Sequence, residues 1–542
     1  MKRFKGLMLL LVLVMAIGSL VVAQEYKEFT LFSSDPLPDY PGSTILGDII
    51  DKETGVKLKR EFLVGDLETR LGLMIASGDY PDMMYAAHYT QRLVDAGAYI
   101  PLEDLIEEHA PNIKKYYAKF FDQITAPDGH IYFLPQQAIP FGANDRRYPA
   151  LGFYINKRVL KDAGWPKVKT FDQMFELIEN YMAKNPTYKG QPTIGWLTTF
   201  DSTYNYSTTN VPQHLMGYPN EGGFVAPKEG NKFVVRPYHT GLVEKYYYQK
   251  LNEMYNKGVV DPEMFVINYD QYIERLASGR VLGTFAQHWV LQQAQDILNR
   301  DDPDSILIPF PIVFDEMVEE YMRDTPYIQQ TQGMGITVAC KDPVGVIKYW
   351  DYLVANQMLI QWGIEGEHYE VDENGMYYRT EEQLALFRDP NWVRDVFGRQ
   401  YYLNLFPSLI GVAEDGNSYV PDNQPSMIYA AATPSEKEVM DAYGIKSFTD
   451  FYNPPKPHDK VPYYPIWTIS VPTGSPAHIE GTRHGDLMKE YVPRLVMSSP
   501  AEFEIIWEDY VNRTRPLLKL RLEYLQEQVN WRVENWGPKI ED

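Results

Sequence analysis

The chain has 542 residues, of which 44% are hydrophobic and 14% aromatic, and it carries a formal net charge of −22. This length allows two domains, and this composition excludes an intrinsically disordered protein. The negative charge would repel a phosphate backbone or an anionic membrane surface, so nucleic-acid and membrane-surface binding are not expected. Cys340 is the only cysteine in the sequence, which excludes an intramolecular disulfide and a cysteine-based metal site.

Residues 1–23 have the pattern of a signal peptide. Basic residues open the chain, residues 7–20 form an apolar run, and Val21–Ala23 form a small-residue cleavage site. We expect cleavage and a periplasmic or secreted protein; an uncleaved anchor helix is the alternative. No cysteine follows the leader, so no lipid anchor is expected. No later segment of the sequence is long and apolar enough to predict a membrane span.

Strands and helices alternate after the leader. The pattern predicts strands over residues 29–34, 56–64 and 83–85, separated by helices that end at Gly55 and Gly78. Such an alternation is typical of right-handed βαβ units and a parallel sheet. The fold class predicted from these elements is therefore α/β.

Polar and aromatic residues follow two of the predicted strands. Asp35 follows the first strand, and His88 and Tyr89 follow the third. Open α/β sheets bind ligands at the carboxyl ends of their strands, so these three are candidate ligand-binding residues. Asp35 would accept hydrogen bonds; a turn-forming role before Pro36 is its alternative.

Five segments of the chain share the order and content of one family's motifs. They are ASGDYPD (76–82), GHIYFLPQQ (129–137), YINKRVLKDAGWPKVKTFDQMFELI (154–178), IQWGIEGEHYE (360–370) and the closing segment 502–532, which begins EFEIIWEDYVNRTRP and ends EYLQEQVNWR. Together they resemble the family 1 extracellular solute-binding proteins, the sugar and oligosaccharide receptors of bacterial ABC importers. The resemblance is to the long, lipoprotein-like and alginate-binding-like branch, and it covers nearly the whole chain.

The resemblance implies a two-lobe periplasmic-binding-protein fold of the type II kind, with discontinuous lobes joined by hinge crossings. The N-terminal lobe is expected to comprise residues 25–148 and about 332–450. The C-terminal lobe is expected to comprise residues 149–331 and about 451–542. The ligand would lie in the cleft between these lobes.

The segment from Trp196 to Gly223 is rich in Thr, Ser, Asn and Tyr, and it is too polar for a core. Loops on a rigid scaffold often carry binding residues. Trp196, Tyr204 and Tyr206 are therefore candidates for stacking on a sugar, because aromatic rings pack on the apolar faces of sugars. A merely solvated loop is the alternative.

Two further regions contain candidate ligand-binding aromatic residues. His288 and Trp289 begin a predicted helix, where the family places an aromatic contact, and Trp467 lies in a late strand. A core Trp289 and a structural His288 are the alternatives. Gln136 and Arg146 follow the strand that precedes the first crossing between the lobes. Arg146 would pair with an acidic sugar; a solvated loop charge is its alternative.

The sequence contains none of the catalytic motifs G-x-S-x-G, H-E-x-x-H, P-loop or G-x-G-x-x-G. We expect no cofactor and no metal, including no calcium ion within residues 183–196, which lack a run of oxygen ligands. The Glu367–Tyr369 stretch is interpreted as structural. Paired carboxylates could still meet among 73 acidic residues, so a secreted glycoside hydrolase is one alternative function. A peptide-binding receptor is the other.

The expected function is that of an extracytoplasmic solute-binding protein of an ABC importer. It would bind an oligosaccharide in an aromatic-lined cleft between the lobes and deliver it to the permease, without catalysis. Its expected partners are the oligosaccharide and the permease subunits, and we expect a monomer.

Overall fold

The computed structural model describes residues 26–141, 146–200, 204–219, 223–230, 232–323, 328–403, 405–454 and 465–536. The predicted signal peptide lies outside the described residues. Among the residues that are described, no helix is both long and apolar enough to cross a membrane.

Two sheets organise the molecule. Their strands are β1 (Lys27–Ser33), β2 (Val56–Phe62), β3 (Met83–Tyr85), β4 (Leu134–Pro135), β5 (Leu151–Asn156), β6 (Ile194–Trp196), β7 (Val281–Gln287), β8 (Leu307–Phe310) and β9 (Gly333–Ile336). The first sheet has the order β2-β1-β3-β9-β4, and the second has the order β8-β5-β7-β6. Each sheet belongs to one lobe.

The longer helices cover these sheets. They are α1 (Ile45–Thr54), α2 (Leu67–Ser77), α3 (Phe171–Lys184), α4 (Leu242–Asn256), α5 (Tyr269–Ala277), α6 (His288–Asp301), α7 (Pro343–Ala355), α8 (Pro434–Tyr443), α9 (Pro476–Met497) and α10 (Phe503–Asn535). Shorter helices include Thr90–Asp95, Glu103–His109, Pro111–Tyr117, Phe121–Ile124, Lys157–Asp162, Tyr206–Thr209, Val211–Leu215, Gln357–Trp362, Glu381–Phe387 and Pro425–Ile428. Two-stranded ribbons pair Thr187–Tyr188 with Gln191–Pro192, Phe224–Val225 with Arg236–Pro237, Lys228–Glu229 with Lys232–Phe233, and Glu370–Val371 with Tyr377–Tyr378.

The first three strands and two helices form the predicted βαβ series. β1 is parallel to both β2 and β3. Thr44 caps α1 by accepting a hydrogen bond from the backbone N–H of Gly47, and Asp66 caps α2 in the same way. Gly55 and Gly78 end the two helices with a φ of 68°, a left-handed conformation that glycine adopts without steric cost.

Each lobe has its own apolar core. The first core includes Phe29, Leu31, Leu46, Ile50, Met83, Leu134, Ile336, Trp350, Phe397 and Leu409. The second includes Phe153, Ile155, Phe171, Phe175, Ile178, Tyr247, Phe285, Leu291, Ile308 and Tyr491. A smaller cluster next to the second core joins Phe224, Phe233 and Val235 to Leu518, Leu525 and Val529 of α10.

One lobe boundary differs from the expectation. The first lobe was expected to extend to about residue 450, but Ala432, Phe448 and the buried side of α8 pack in the second core. Val439 and Met440 of α8 are fully buried there, so the chain has already entered the second lobe at Ala432. The core in which the apolar side of α8 is buried decides to which lobe this segment belongs. No signal in the sequence marked the boundary, because the composition of the segment does not change where the chain crosses.

Candidate functional site

The chain crosses between the two sheets at one edge of each. It leaves the first sheet at the end of β4 and enters the second at the start of β5; it returns from the end of β8 to the start of β9. β9 is antiparallel to β3 and β4, and β5 is antiparallel to β7 and β8. All of these ends therefore lie at a single edge of each sheet, and the crossings join these two edges.

We call these the first-lobe edge and the second-lobe edge. The first-lobe edge consists of the carboxyl ends of β1, β3 and β4 and the start of β9, with the residues that adjoin them. The second-lobe edge consists of the carboxyl ends of β6, β7 and β8 and the start of β5, with the residues that adjoin them. The predicted residues Asp35, His88, Tyr89 and Gln136 adjoin the first-lobe edge, because each follows one of its strands.

Polar side chains contact one another at the first-lobe edge. The hydroxyl group of Tyr85, at the end of β3, donates a hydrogen bond of 3.2 Å to Oε1 of Gln332. Nε2 of Gln136 lies 3.5 Å from the same oxygen atom. Oε1 of Gln136 is buried and has no hydrogen-bond partner among the described residues. Since an unpaired buried acceptor is costly, this oxygen atom is suited to accept a hydrogen bond from a ligand.

Asp35 supplies a carboxyl group at this edge. Burial alone raises its pKa from 3.8 to about 6. The backbone N–H of Asp35 donates to Oγ of Ser33, but none of the described residues donates to the Asp35 carboxyl group. The side chain therefore does not close the turn before Pro36, and its oxygen atoms can accept hydrogen bonds.

His88 and Tyr89 belong to a short 3-10 helix, Ala87–Tyr89, that follows β3. Their ring centroids lie 4.5 Å apart, and His88 is exposed whereas Tyr89 is half-buried. Partial desolvation by the surrounding protein lowers the pKa of His88, so this ring is neutral at neutral pH and presents a donor and an acceptor.

Aromatic side chains gather at the second-lobe edge. Trp289, in the first turn of α6, is 60% exposed. The ring of Tyr204 lies 5.9 Å from that of Trp289 and 4.5 Å from that of Tyr269, and Tyr206 lies 6.2 Å from Tyr204. We call these four residues the aromatic platform. An exposed indole ring supported by tyrosines is a surface on which a sugar ring can stack.

His288 is held within the protein beside this platform. Its ring stacks on that of Tyr148 at 4.0 Å, and the hydroxyl group of Tyr154 lies 3.4 Å from Nδ1. Burial, helped by the nearby Arg147 guanidinium, lowers the pKa of His288 to about 3. The ring is therefore neutral, and its contacts agree with the structural alternative for this residue.

Arg146 lies on the crossing segment just before β5. Its carbonyl oxygen accepts hydrogen bonds from the hydroxyl groups of Ser447 and Thr449. Its side chain is partly buried, and burial lowers its pKa. The backbone position at the lobe junction is thus well defined.

Two of the residues predicted to bind the ligand, Trp196 and Trp467, lie in apolar cores instead, so the prediction is wrong for both. Trp196 is fully buried, and its ring packs at 5.7 Å from Phe171 and 5.5 Å from Phe175 of α3. Trp467 is 2% exposed and packs against Leu518 in the smaller cluster. Both rings face a helix that covers them, so neither has a face on which a sugar can stack.

Three residues at the two edges were not predicted from the sequence to belong to the site. Tyr85 belongs to an apolar run that predicts only a buried strand, and Tyr269 follows a helix cap without any functional signal. Gln332 directly precedes the buried strand β9 at the return crossing. Its position beside a predicted crossing between the lobes was the one feature of the sequence that could have indicated a role for Gln332.

Two further features lie apart from these edges. A cavity of about 640 Å³ runs along α10 and is lined by Val235, Leu522, Glu523, Gln526, Glu527, Asn530, Trp531 and Glu534. None of the predicted site residues lines it. In the described ranges, no group of three or more His, Cys, Asp or Glu side chains is arranged to hold a metal ion.

Comparison of the sequence with known protein families and proteins identifies relatives of this chain. A profile of the family described as bacterial extracellular solute-binding protein matches residues 46–364, more than half of the chain. The fructooligosaccharide ABC transporter substrate-binding protein FusA of Streptococcus pneumoniae is 26% identical over 276 residues, covering 46% of this chain and 48% of FusA. The chain thus spans about half the length of this curated relative.

Solved structures share the fold. The alginate-binding protein AlgQ2 without calcium superimposes with a TM-score of 0.63 at 17% identity, covering 94% of this chain and 99% of AlgQ2. FusA in complex with kestose gives 0.64 at 18% identity, covering 94% and 100%. A solute-binding protein from Bifidobacterium longum infantis, described as binding HMO, gives 0.63 at 15% identity, covering 95% and 100%.

These matches confirm the expected fold class and the resemblance stated from the sequence motifs. The family consists of binding proteins and is extracellular. The chain belongs to the bacterial extracellular solute-binding proteins.

Proposed function

We propose that this protein binds an oligosaccharide between its two lobes and delivers it to the permease of an ABC importer. The observation that carries the proposal is the exposed Trp289, supported by the ring of Tyr204, at the edge of the second sheet where the crossings to the first lobe begin and end. FusA, which is named as a fructooligosaccharide-binding protein, and the other carbohydrate-binding structures support it.

Each edge would make a different contribution to binding. Stacking on an aromatic ring contributes about 0.5–1.5 kcal/mol beyond the buried area. A sugar hydroxyl group left unpaired in a closed cleft costs about 1–3 kcal/mol, so Asp35 and Gln136 would select for hydroxyl groups in the correct places. The aromatic platform thus supplies affinity, and the first-lobe edge supplies selectivity.

The crossings would act as a hinge. A ligand that contacts both edges does so only when the lobes approach, so its binding favours the closed form. The permease would recognise that closed form. No covalent bond is made or broken in this cycle.

The protein would act outside the cytoplasm. We propose that the leader is cleaved after residue 23, that the protein is periplasmic or secreted, and that it acts as a monomer. Its partners would be the oligosaccharide and the permease subunits.

The test compares Trp289→Ala with Trp531→Ala, a matched control on α10 that removes an indole ring 47% exposed. Calorimetry with a panel of di- to hexasaccharides should give saturable binding by the wild type and by the control. Loss of one stacked ring should weaken binding by Trp289→Ala about 10-fold or more.

X-ray scattering should show that the tightest ligand makes the wild type more compact. Chromatography of the recovered sugar should show no cleavage. If Trp289→Ala and Trp531→Ala bind the panel equally well, or if the sugar is hydrolysed, the proposal is wrong.

A further inference from the structure

A strained residue begins the short helix that carries His88 and Tyr89. Ala87 has a φ of 43°, in the left-handed region that residues with a β-carbon rarely adopt. Only the buried Ala86 separates it from the end of β3. Such a conformation costs free energy, persists only where the surroundings enforce it, and occurs preferentially at functional sites. Neighbouring groups must therefore hold Ala87 in this conformation.

Thr90 contacts the carbonyl group of this strained residue. Oγ1 of Thr90 donates a hydrogen bond of 2.7 Å to the carbonyl oxygen of Ala87, and the backbone N–H of Thr90 donates to the same oxygen atom. The backbone N–H of Gly333 donates to Oγ1 of Thr90, at 3.4 Å. Thr90 is fully buried, so water does not compete for these bonds. The hydroxyl group therefore ties the strained peptide to the first residue of β9.

Gly333 is a well-defined anchor for this hydroxyl group. It begins β9, where the return crossing enters the first sheet, and it pairs with Pro135 of β4. A β-carbon at this position would lie 2.4 Å from the carbonyl oxygen of Leu134, so the two strands pack closely here. Gln332, the preceding residue, accepts a hydrogen bond from the hydroxyl group of Tyr85. The anchor is thus part of the first-lobe edge.

The conformation of Ala87 sets the direction of the residues that follow it. The backbone N–H of Tyr89 donates a hydrogen bond of 2.9 Å to the carbonyl oxygen of Ala86, which closes one turn around Ala87. His88 is exposed, and its ring lies 4.5 Å from that of the half-buried Tyr89. Because backbone dihedral angles determine where the next side chains point, a return of Ala87 to a negative φ would move both rings from these positions.

We propose that Thr90 is a positioning residue of the binding site, because its hydroxyl group holds Ala87 in the left-handed conformation. Ala87 in turn presents His88 and Tyr89 to the oligosaccharide in a fixed orientation. This inference rests on the proposed function. A ligand binds only the fraction of molecules in which both side chains are correctly oriented, so the apparent affinity falls in proportion to that fraction. The hydrogen bonds of Thr90 thus preorganise the first-lobe edge.

The first experiment compares Thr90→Val, which removes the hydroxyl group at nearly constant volume, with Thr90→Ser, which keeps it. Calorimetry measures the affinity of each variant for the panel of di- to hexasaccharides. Thr90→Val should bind the tightest sugar of the panel about 10-fold more weakly than the wild type, which corresponds to a left-handed population of about one tenth. Thr90→Ser keeps both hydrogen bonds and should bind within about 3-fold of the wild type.

Thr337→Val is the matched control. Thr337 is also fully buried, and its hydroxyl group likewise donates to a carbonyl oxygen, that of Pro81, and accepts from a backbone N–H, that of Ala339. It directly follows β9, at the opposite end of this strand. Thermal unfolding should show that both valine variants lose stability, since each loses two hydrogen bonds of a buried hydroxyl group. Only Thr90→Val should lose affinity for the sugar.

The second experiment removes the strain instead of the hydroxyl group. Glycine adopts a left-handed conformation without steric cost, so binding by the Ala87→Gly variant should depend much less on Thr90. The double variant Ala87→Gly/Thr90→Val should bind within about 3-fold of Ala87→Gly alone, whereas Thr90→Val by itself loses about 10-fold. A hydroxyl group with a merely structural role would weaken binding equally with alanine or glycine at this position.

Three results would overturn the inference. Thr90→Val binds the sugar as tightly as the wild type, or Thr337→Val weakens binding as much as Thr90→Val does, or the effects of Ala87→Gly and Thr90→Val are additive. In each of these cases, loss of binding by Trp289→Ala would leave the proposed function standing. If the wild type binds no member of the panel, the inference and the proposed function both fail.

Discussion

The rings of Tyr148 and His288 stack face to face, with centroids 4.0 Å apart and an angle of 11° between their planes. Tyr148 lies on the crossing segment and His288 begins α6, so this contact joins the crossing segment to the helix that presents Trp289. The hydroxyl group of Tyr148 also donates a hydrogen bond to the buried carboxylate of Glu436. The crossing segment, the start of α6 and α8 are therefore packed together.

The partly buried His288 should make folding stability depend on pH. Its pKa in the folded protein is about 3 rather than 6.5. As pH falls, the His288 side chain is therefore protonated in the unfolded chain at a higher pH than in the folded protein. Stability should therefore fall as pH falls from about 6.5 toward about 3. We expect a weaker fall in His288→Asn, measured by urea unfolding at several pH values.

His130 offers a control of the opposite sign. Its hydrogen bond to Glu103 raises its pKa, so it favours the folded state at low pH and loses this effect as pH rises through the raised pKa. His130→Asn should not weaken the acid sensitivity of the wild type. Equal pH profiles for His288→Asn and the wild type would contradict a neutral His288 in the folded protein.

Asp35 should make ligand affinity depend on pH. Its pKa in the folded protein is about 6, and the ionised carboxylate accepts hydrogen bonds more strongly than the protonated acid does. Affinity for the tightest oligosaccharide should therefore increase between about pH 5 and about pH 7.5, and Asp35→Asn should lose this increase. Calorimetry in matched buffers checks it, and a pH-independent wild type would be the contrary result.

The same shift also has a consequence for folding. Because the pKa of Asp35 rises from 3.8 to about 6 on folding, the folded state binds more protons between these values. The contribution of Asp35 to stability should thus fall as pH rises through that window and stay constant above it. Asp35→Asn should be at least as stable as the wild type at neutral pH.

Trp196→Ala should act on stability rather than on ligand binding. Trp196 is fully buried against Phe171 and Phe175, and truncation of a buried Trp costs about 3–5 kcal/mol. Denaturant unfolding should show this loss, and the folded variant should bind sugar as the wild type does. A loss of affinity with unchanged stability would instead place Trp196 in the binding site.

The contact between Lys157 and α8 tests the revised lobe boundary. Lys157 is 1% exposed and forms ion pairs with Glu438 of α8 and with Asp304. Since Glu438 is partly exposed, a double-mutant cycle of Lys157→Ala and Glu438→Ala should give a coupling of about 1–3 kcal/mol. A coupling near zero would mean that α8 is not packed on the second lobe. Lys161→Ala, which removes an exposed partner of Glu438, is the matched control and should couple more weakly.

Local signals in the sequence were sufficient for the βαβ series of the first lobe. Apolar runs predicted the strands, and Gly55 and Gly78 predicted the helix ends, because a left-handed residue is a local requirement of the backbone. The same kind of signal located Trp289 at the start of a helix after a buried strand. These predictions depend only on residues that are close in sequence, so the packing of distant elements in the fold did not change them.

Trp196 and Trp467 show where such signals are insufficient. Each lies in a segment that is polar or irregular around it, yet each ring is covered by a distant helix, α3 or α10. Which face of a strand a helix covers depends on contacts between residues far apart in the chain. Exposure of an aromatic ring, and hence its availability to a sugar, follows from that packing.

By itself the sequence determined the α/β class, the family and the places where strands end and polar residues follow them. Only the tertiary structure decided that Asp35 and Gln136 share one edge, that α8 belongs to the second lobe, and that distant helices cover Trp196 and Trp467. The reason is that periodicity and capping are properties of neighbouring residues. Burial, charge pairing and the meeting of two edges depend on segments that the fold brings together from distant parts of the chain.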